Sequence, residues 1–454
     1  MKFTLAELAA ASAGKADGDA VLSGVAVDSR KVKPGDLFVA IRGERADGHD
    51  FAAEAAARGA RALLGERRPA NLPAGFPSVL TARPIEALQK LAAAIKKRMG
   101  FRLAAITGSA GKTTTKDFAA EILGRRFKVA KTPGNQNSQI GFAMSICNVE
   151  SEPDWMVGEM GLSEPGDLSK LSRAFEPDLA TILLVAPAHL QFFASVDAIA
   201  DAKAEILEGL KPGGTLVANA DDPRVEAIAR RQQGRVVRFG LSGAADVTAR
   251  DLALEADASR FRLRTPAGEA AVRLPLAGAH QVSNFLAAAA IAFAIGLSPE
   301  DSAAAAANLR PAAHRGVWRR HSSGARLYDD AYNANPASMR AALATLATQA
   351  PRRRIAVLGE MLELGPDEKR WHRETGAAAA KSADLLVCVG PRGRFLGEGA
   401  AAAGLPADAI RYAASAEEAA ALLAPLLSSN DAVLFKASRG VGLERAVAAL
   451  SGEA

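Results

Sequence analysis

The stretch Ala104-Ala105-Ile106-Thr107-Gly108-Ser109-Ala110-Gly111-Lys112-Thr113-Thr114-Thr115 decides the fold. An apolar run that reads as a strand enters a glycine-bearing turn, and the Lys-Thr-Thr that follows opens a helix. Gly108 and Gly111 allow a tight turn whose backbone N–H groups, with the helix N-terminus, form a cradle for phosphates. Thr107, Ser109, Ala110 and Thr114 complete the stretch that would face a bound nucleotide. Lys112 is placed to neutralise the β/γ-phosphates, and the Thr113 hydroxyl to sit on Mg²⁺. The longer form of this loop needs glycine at 106, where this chain has Ile106, so the match is to a shorter G-x-x-G-K-T. A strand, turn and helix with no nucleotide is the competing reading.

Outward from the loop, strands and helices alternate. Strands are expected at Leu103 to Thr107, Lys128 to Lys131, Trp155 to Glu159, Leu179 to Val185 and Thr215 to Asn219, with helices between them. Such alternation implies a parallel sheet with crossover helices. Residues 245 to 276 break the rhythm with alternating apolar and polar positions, which predicts an antiparallel excursion. Before the loop, residues 1 to 84 read as a small mixed α/β unit, with strands near 25–27 and 37–41. After residue 325 a third βα run begins, with strands at Ala325 to Tyr328, Arg354 to Leu358, Leu385 to Val389 and Ala432 to Phe435.

Composition limits the alternatives. The 454 residues are about three domains' worth, at ~150 residues each. Hydrophobic residues are 49% and charged residues 23%, enough apolar material for several cores. A net charge of +6 is thin over this length; it suits anionic substrates and, with no basic and aromatic stretch beside it, does not argue for nucleic acid. Cys147 and Cys388 lie far apart without metal-ligand spacing and read as buried core thiols, consistent with a reducing cytoplasm, the expected location. No apolar run reaches membrane-spanning length. Thr4-Leu5-Ala6-Glu7 reads as a capping box opening an ordinary helix rather than a signal peptide.

Further residues point to chemistry. Trp155-Met156-Val157-Gly158-Glu159 is a strand ending in a carboxylate, where a parallel sheet lines its ligand crevice. Glu159 is there either to hold a nucleotide's metal or to cap a helix. His189, and Lys203 on a following helix, have both structural and functional readings; Mg²⁺ prefers oxygen ligands, which a bare ammonium cannot supply. Asp329-Asp330-Ala331-Tyr332-Asn333-Ala334-Asn335-Pro336 follows a strand and precedes a helix, so a carboxylate there meets ribose hydroxyls or caps the helix. Arg315 can reach a γ-phosphate by two parallel contacts. Gly397-Glu398-Gly399-Ala400-Ala401-Ala402 imitates a dinucleotide motif with no strand immediately before it, and is set aside.

Together these segments resemble the Mur ligase family nearly end to end. The resemblance is carried by Asp28-Ser29-Arg30, Gly108 to Thr115, Gly134-Asn135-Gln136-Asn137, Glu159-Met160-Gly161 and Ala188-His189-Leu190. It continues through Asn219-Ala220-Asp221-Asp222-Pro223, Tyr332 to Pro336, Gly359 to Gly365 and Lys436-Ala437-Ser438-Arg439-Gly440. The resemblance implies a UDP-binding N-terminal domain (1–84), a central ATPase domain (85–312) and a Rossmann-like α/β C-terminal domain (313–454). It implies that Asp28, Ser29 and Arg30 lie near the uridine diphosphate and that Asn135 and Asn137 hold the substrate side of the central site. Thr113, Glu159, His189 and a carbamylated Lys203 would hold Mg²⁺. Asn284 would contact adenine, Arg315 the phosphates and Asp330 the ribose, with Asn335 beside them. Lys112, His189, Lys203 and Arg315 would be the catalytic set.

The activity implied is ATP-dependent amide-bond formation through an acyl phosphate, joining D-Ala-D-Ala to UDP-MurNAc-tripeptide, by a monomer that needs no nucleic acid. Addition of a single amino acid, or of glutamate to a folate, stays open. The chain departs from the family pattern at Ser138 (usually Asn), at Leu184-Val185-Ala186-Pro187, at Gln191 (often Glu) and at His314 (usually Gly).

Overall fold

A computed structural model describes residues 2–452 apart from Ala13, Glu44, Arg45, His189, Ala350 and Pro351. Among the described residues the chain builds three α/β layers along its length. The first 80 residues carry a five-stranded sheet in the order Lys15–Asp17, Ser78–Leu80, Ala62–Gly65, Asp36–Val39, Gly24–Ala26. The expected capping box is present: Glu7 N donates to Thr4 Oγ1 at 3.1 Å, and Thr4 N donates to the Glu7 carboxylate at 2.6 Å. It opens the helix Leu5–Ser12.

Helix Pro84–Met99 joins this unit to the centre. Its buried face, Leu88, Leu91 and Ile95, belongs to one hydrophobic cluster with Leu5 and Leu8 on one side and Phe142 and Ile146 on the other. Asn148, just after helix Gln139–Cys147, adds a polar tie by accepting from Val25 N at 2.7 Å and donating to Val25 O at 3.0 Å. The first two layers therefore share a core.

The central layer is a nine-stranded sheet. Arg102–Thr107, buried from Leu103 onward, runs parallel to Trp155–Glu159 on one side and to Leu179–Ile182 on the other. Thr215–Asn219 and Arg235–Gly240 continue the parallel order. The predicted antiparallel excursion follows as Val247–Leu254, Ser259–Thr265 and Gly268–Leu274. The turns after residues 107, 159 and 182 open where the chain crosses from one side of the strand Arg102–Thr107 to the other, the place at which open parallel sheets bind ligands.

One strand is shorter than its sequence suggests. Leu179 to Val185 reads as continuous, but pairing stops at Ile182. Beyond it Leu183 N donates to Thr107 O at 3.0 Å, and Leu184 O accepts from Ser109 N at 2.9 Å. The backbone of 183–186 thus wraps the glycine turn instead of extending the sheet.

The C-terminal layer is a six-stranded sheet in the order Val317–Arg320, Arg326–Asp329, Asp431–Lys436, Arg353–Gly359, Leu385–Val389, Ile410–Ala413. All pairs are parallel except the first. The dinucleotide imitation lies inside helix Gly393–Ala402. A side chain at Gly399 would collide with Arg373 O, and one at Gly376 with Leu396 O, so these glycines let two helices touch. Both cysteines are buried, and burial pushes the Cys388 thiol up to about 12. Among the described residues no helix is long and apolar enough to cross a membrane.

Candidate active site

The cleft between the central and C-terminal layers has a volume of about 440 Å³. Its central wall is the phosphate loop with Asn135, Asn137, Glu159 and Asn284; its opposite wall is Arg315, Asp330, Tyr332, Asn335 and Lys436.

The glycine turn is built for close approach. Gly108 has φ +153° and Gly111 φ +85°. A Cβ on Gly108 would stand 2.8 Å from Leu183 Cβ, and one on Gly111 would strike Asn284 Oδ1. Only glycine fits at either position. Helix Lys112–Leu123 starts directly at Gly111 with no side-chain cap, which leaves its first amides facing the cleft. Lys112 Nζ donates to Gly108 O at 2.7 Å. Burial pushes this ammonium down, Glu159 opposes that, and Arg315 adds to it.

Of the two readings of Glu159, the helix cap falls away. The residue is buried (2% exposed), ends its strand, and caps no helix. Thr113 Oγ1 donates to one carboxylate oxygen at 2.7 Å, and Asn137 Nδ2 to the other at 2.5 Å. A hydroxyl and a carboxylate, both hard oxygen donors beside a phosphate cradle, suit Mg²⁺. His189 lies outside the described residues. Among the described residues no cluster of three or more His, Cys, Asp or Glu side chains gathers around one point.

Lys203, in helix Val196–Ala204, is 4% exposed, which removes the reading of a solvated lysine. Burial, and then the Lys112 ammonium, push it well below the ordinary lysine range. Its amine has no hydrogen-bond or ion-pair partner among the described residues. Thr107, Gly108 and Lys203 are not among the residues that line the cleft.

On the C-terminal wall Asn335 caps helix Pro336–Ala347 in a reciprocal box with Ser338, so the cap is Asn335 and neither aspartate. Asp329 is fully buried and accepts from His314 Nδ1 at 2.8 Å and Arg319 Nε at 3.3 Å. Asp330 faces the cleft and accepts from Lys436 Nζ at 2.6 Å. The Arg315 guanidinium lies 3.9 Å over the Tyr332 ring, which fixes its plane. His314 has φ +58°, a left-handed conformation that favours the glycine usual at this position.

Asp28, Ser29 and Arg30 are not in the cleft; they form the turn after strand Gly24–Ala26 in the N-terminal sheet. Arg30 donates to both Asp28 oxygens at 2.9 Å and holds that carboxyl down to about 2. Ser29 Oγ donates to Glu54 at 3.0 Å.

Several residues here were given no role of their own from sequence. Lys116 lies one helical turn after Lys112, a spacing that places it on the same face. Lys436 heads the Lys-Ala-Ser-Arg-Gly segment. His280, one turn before Asn284, presents to the cleft an imidazole whose Nδ1 is shut from solvent without a partner. Asn219 and Asp222 hold the 183–185 segment: Asn219 Nδ2 donates to Leu183 O, and Asp222 accepts from Val185 N, each at 2.7 Å.

A phosphate cradle on a parallel sheet, closed by an α/β layer carrying a cation and carboxylate, defines a nucleotide-dependent enzyme of the ligase type. The chain matches the Mur ligase family, catalytic domain, over residues 21–99, the Mur ligase middle domain over 106–292, and the Mur ligase, glutamate ligase domain over 314–439. Three relatives are named UDP-N-acetylmuramoyl-tripeptide–D-alanyl-D-alanine ligase. That of Bacillus subtilis (strain 168) is 34% identical, over 94% of this chain and 93% of its own. That of Mycobacterium tuberculosis (strain H37Rv) is 38% identical, over 92% and 90%. That of Escherichia coli (strain K12) is 36% identical, over 86% of each chain. MurF from Acinetobacter baumannii superposes with a TM-score of 0.91 at 30% identity, covering 100% of this chain and 99% of that one. MurF ligase from Thermotoga maritima in complex with ADP gives 0.83 at 30% identity, covering 95% and 97%. The chain belongs to the Mur ligase family.

Proposed function

We propose that this enzyme joins D-alanyl-D-alanine to UDP-N-acetylmuramoyl-tripeptide, the ligation that the relatives' names describe for those proteins, and that it converts ATP to ADP and phosphate in doing so. The observation that carries the reading is the cleft itself, with Lys112, Thr113 and Glu159 on one wall and Arg315, Asp330 and Asn335 on the other. The product is a precursor of peptidoglycan, made in the cytoplasm. One chain supplies both walls, which supports a monomer.

In the first step the terminal carboxylate of the tripeptide attacks the γ-phosphorus of ATP. A carboxyl O–P bond forms, the bond to the bridging oxygen breaks, and ADP leaves. Two anions meet here, so Lys112 and Arg315 lower the barrier by holding positive charge where the phosphoryl group passes. Thr113 and Glu159 would hold Mg²⁺, which when bound adds charge at the phosphate oxygens. Asn284, Asp330 and Asn335 would orient the nucleoside; Asn135 and Asn137 the acid substrate. In the second step the dipeptide amine, having lost a proton, attacks the acyl carbon and phosphate departs. A closed cleft keeps water from the acyl phosphate.

Asp28, Ser29 and Arg30 would receive the uridine diphosphate. Their turn follows the C-terminal end of a parallel strand, where such ligands sit. Lys203 would be carbamylated: its amine nitrogen bonds to the carbon of CO₂ and loses a proton, giving an oxygen ligand for Mg²⁺. Burial beside Lys112 supports this, because it favours the neutral amine that reacts with CO₂.

Acceptor profiling tests the reading. D-Ala-D-Ala should sustain phosphate release with the UDP-linked tripeptide, whereas meso-diaminopimelate, L-lysine and L-glutamate should not. Turnover with one of the single amino acids and none with the dipeptide would overturn it.

A further inference from the structure

Lys116 is 1% exposed, yet it neither faces the cleft nor belongs to the charge set that meets phosphate. Burial pushes its ammonium down from the ordinary lysine range. A buried cation persists where its hydrogens are satisfied. Here Nζ donates to Thr132 O and to Gly134 O, each at 2.7 Å, and stands 3.8 Å from Asp117. Both carbonyls lie in the segment that runs on through Asn135 to Asn137.

Other bonds hold that segment as well, beginning with Thr132 N, which donates to Val157 O at 3.2 Å, and the segment has one consequential end. Gly161 N donates to Asn137 O at 2.8 Å, Glu159 N donates to Thr132 Oγ1 at 3.2 Å, and Ser145 Oγ donates to Gln136 Oε1 at 2.8 Å. Asn137 then turns its amide onto Glu159 at 2.5 Å. Asn135, Asn137 and Ser138 all line the cleft. The helix that starts at the phosphate loop therefore reaches, one turn further on, into the loop on the acid-substrate side.

We infer that Lys116 is a positioning residue for the acid substrate: its ammonium clamps the 132–137 loop so that Asn135 and Asn137 meet the UDP-linked peptide in a fixed geometry. The inference rests on the ligase reading above. It assigns the lysine no contact with substrate and no part in the chemistry. Charge-assisted bonds to two carbonyls are strong enough to order a short loop.

The test uses the full-length enzyme and Lys116→Met, which keeps the stem and removes the donors. KM for the UDP-linked tripeptide should rise roughly tenfold, with kcat changed less. ADP affinity by calorimetry should stay within about twofold of wild type. Hydrogen exchange of the 132–137 amides, read without substrate, should accelerate while that of the strand Arg102–Thr107 does not. In an Asn137→Ala background the same change should add little, because both act through one geometry.

Wild-type KM with unchanged exchange would overturn the inference, as would full additivity with Asn137→Ala. Should the Met variant fail to fold, Lys116→Gln, which reaches one carbonyl at most, should give an intermediate KM; a wild-type value would count against the clamp. Failure of the wild-type enzyme to ligate would sink the ligase reading alone, since the exchange experiment needs no turnover.

Discussion

The Asn335 side-chain amide donates to Ser109 O at 3.1 Å, joining the cap of a C-terminal helix to the phosphate loop 226 residues earlier. The same side chain caps helix Pro336–Ala347 through its oxygen, so one residue shapes its own layer and fastens it to the nucleotide site.

Asn335→Asp separates these roles. Aspartate caps as well as asparagine, but it sets a carboxylate against the Ser109 carbonyl. The variant should melt within about 2 °C of wild type and lose roughly tenfold in kcat/KM for ATP, or ~1.4 kcal/mol. Asn335→Ala should lose about 1 kcal/mol of stability as well. Thermal melts and ATP titrations check both.

Lys112→Ala should leave circular dichroism unchanged and lower kcat by roughly 10²- to 10³-fold, the usual effect of deleting one group that stabilises a transition state. Unchanged turnover would reject the loop assignment.

Lys203→Ala should be inactive, with partial recovery when a short carboxylic acid is added to take the carbamate's place. A readout independent of turnover is ¹³C NMR under labelled CO₂. A carbamate resonance should appear in the wild type and vanish in the variant. Its absence from the wild type would exclude the modification.

His280 sets a pH dependence of stability. Burial holds its imidazole down to about 4, with Asp330 opposing and Lys436 assisting. An unfolded histidine titrates near 6.5. Between pH 6.5 and 4 the unfolded chain therefore binds a proton that the folded chain refuses. This contribution to stability is present above pH 6.5 and declines as pH falls toward 4. Chemical denaturation at pH 7 and pH 5 should show a smaller drop for His280→Gln than for wild type, and NMR should find the native imidazole neutral at pH 6. A ring titrating near 6.5 in the folded protein would contradict this.

Much of the fold was legible because its signals are local. Strand Trp155–Glu159 and strand Thr215–Asn219 begin and end where their apolar runs do. The glycines at 108 and 111 announce the turn by what they lack. Readings failed where tertiary partners decide. Leu183 to Val185 looks like strand but spends its backbone bonds on the phosphate loop and on Asp222. Val317–Arg320 and Ile410–Ala413 are edge strands of only four residues, too short for an alternating pattern to stand out, although the strands they pair with were both expected. The departures from the family pattern also acquire local roles. Ser138 caps helix Gln139–Cys147 by accepting from Gly141 N at 3.2 Å, and His314 donates through its ring to Asp329 at 2.8 Å. Lys116 was passed over, and Lys436 was quoted without a role, because a lysine's burial is visible only once the carbonyls it serves are in place.

The central claim is that this cleft activates a peptide carboxylate with ATP and passes it to a dipeptide amine. Phosphate release with purified enzyme, Mg²⁺, ATP and UDP-MurNAc-tripeptide, with and without D-Ala-D-Ala, tests it most directly. The account predicts sustained release only when the dipeptide is present, with one amide product formed per phosphate. Release indifferent to the dipeptide, or none under either condition, would contradict it.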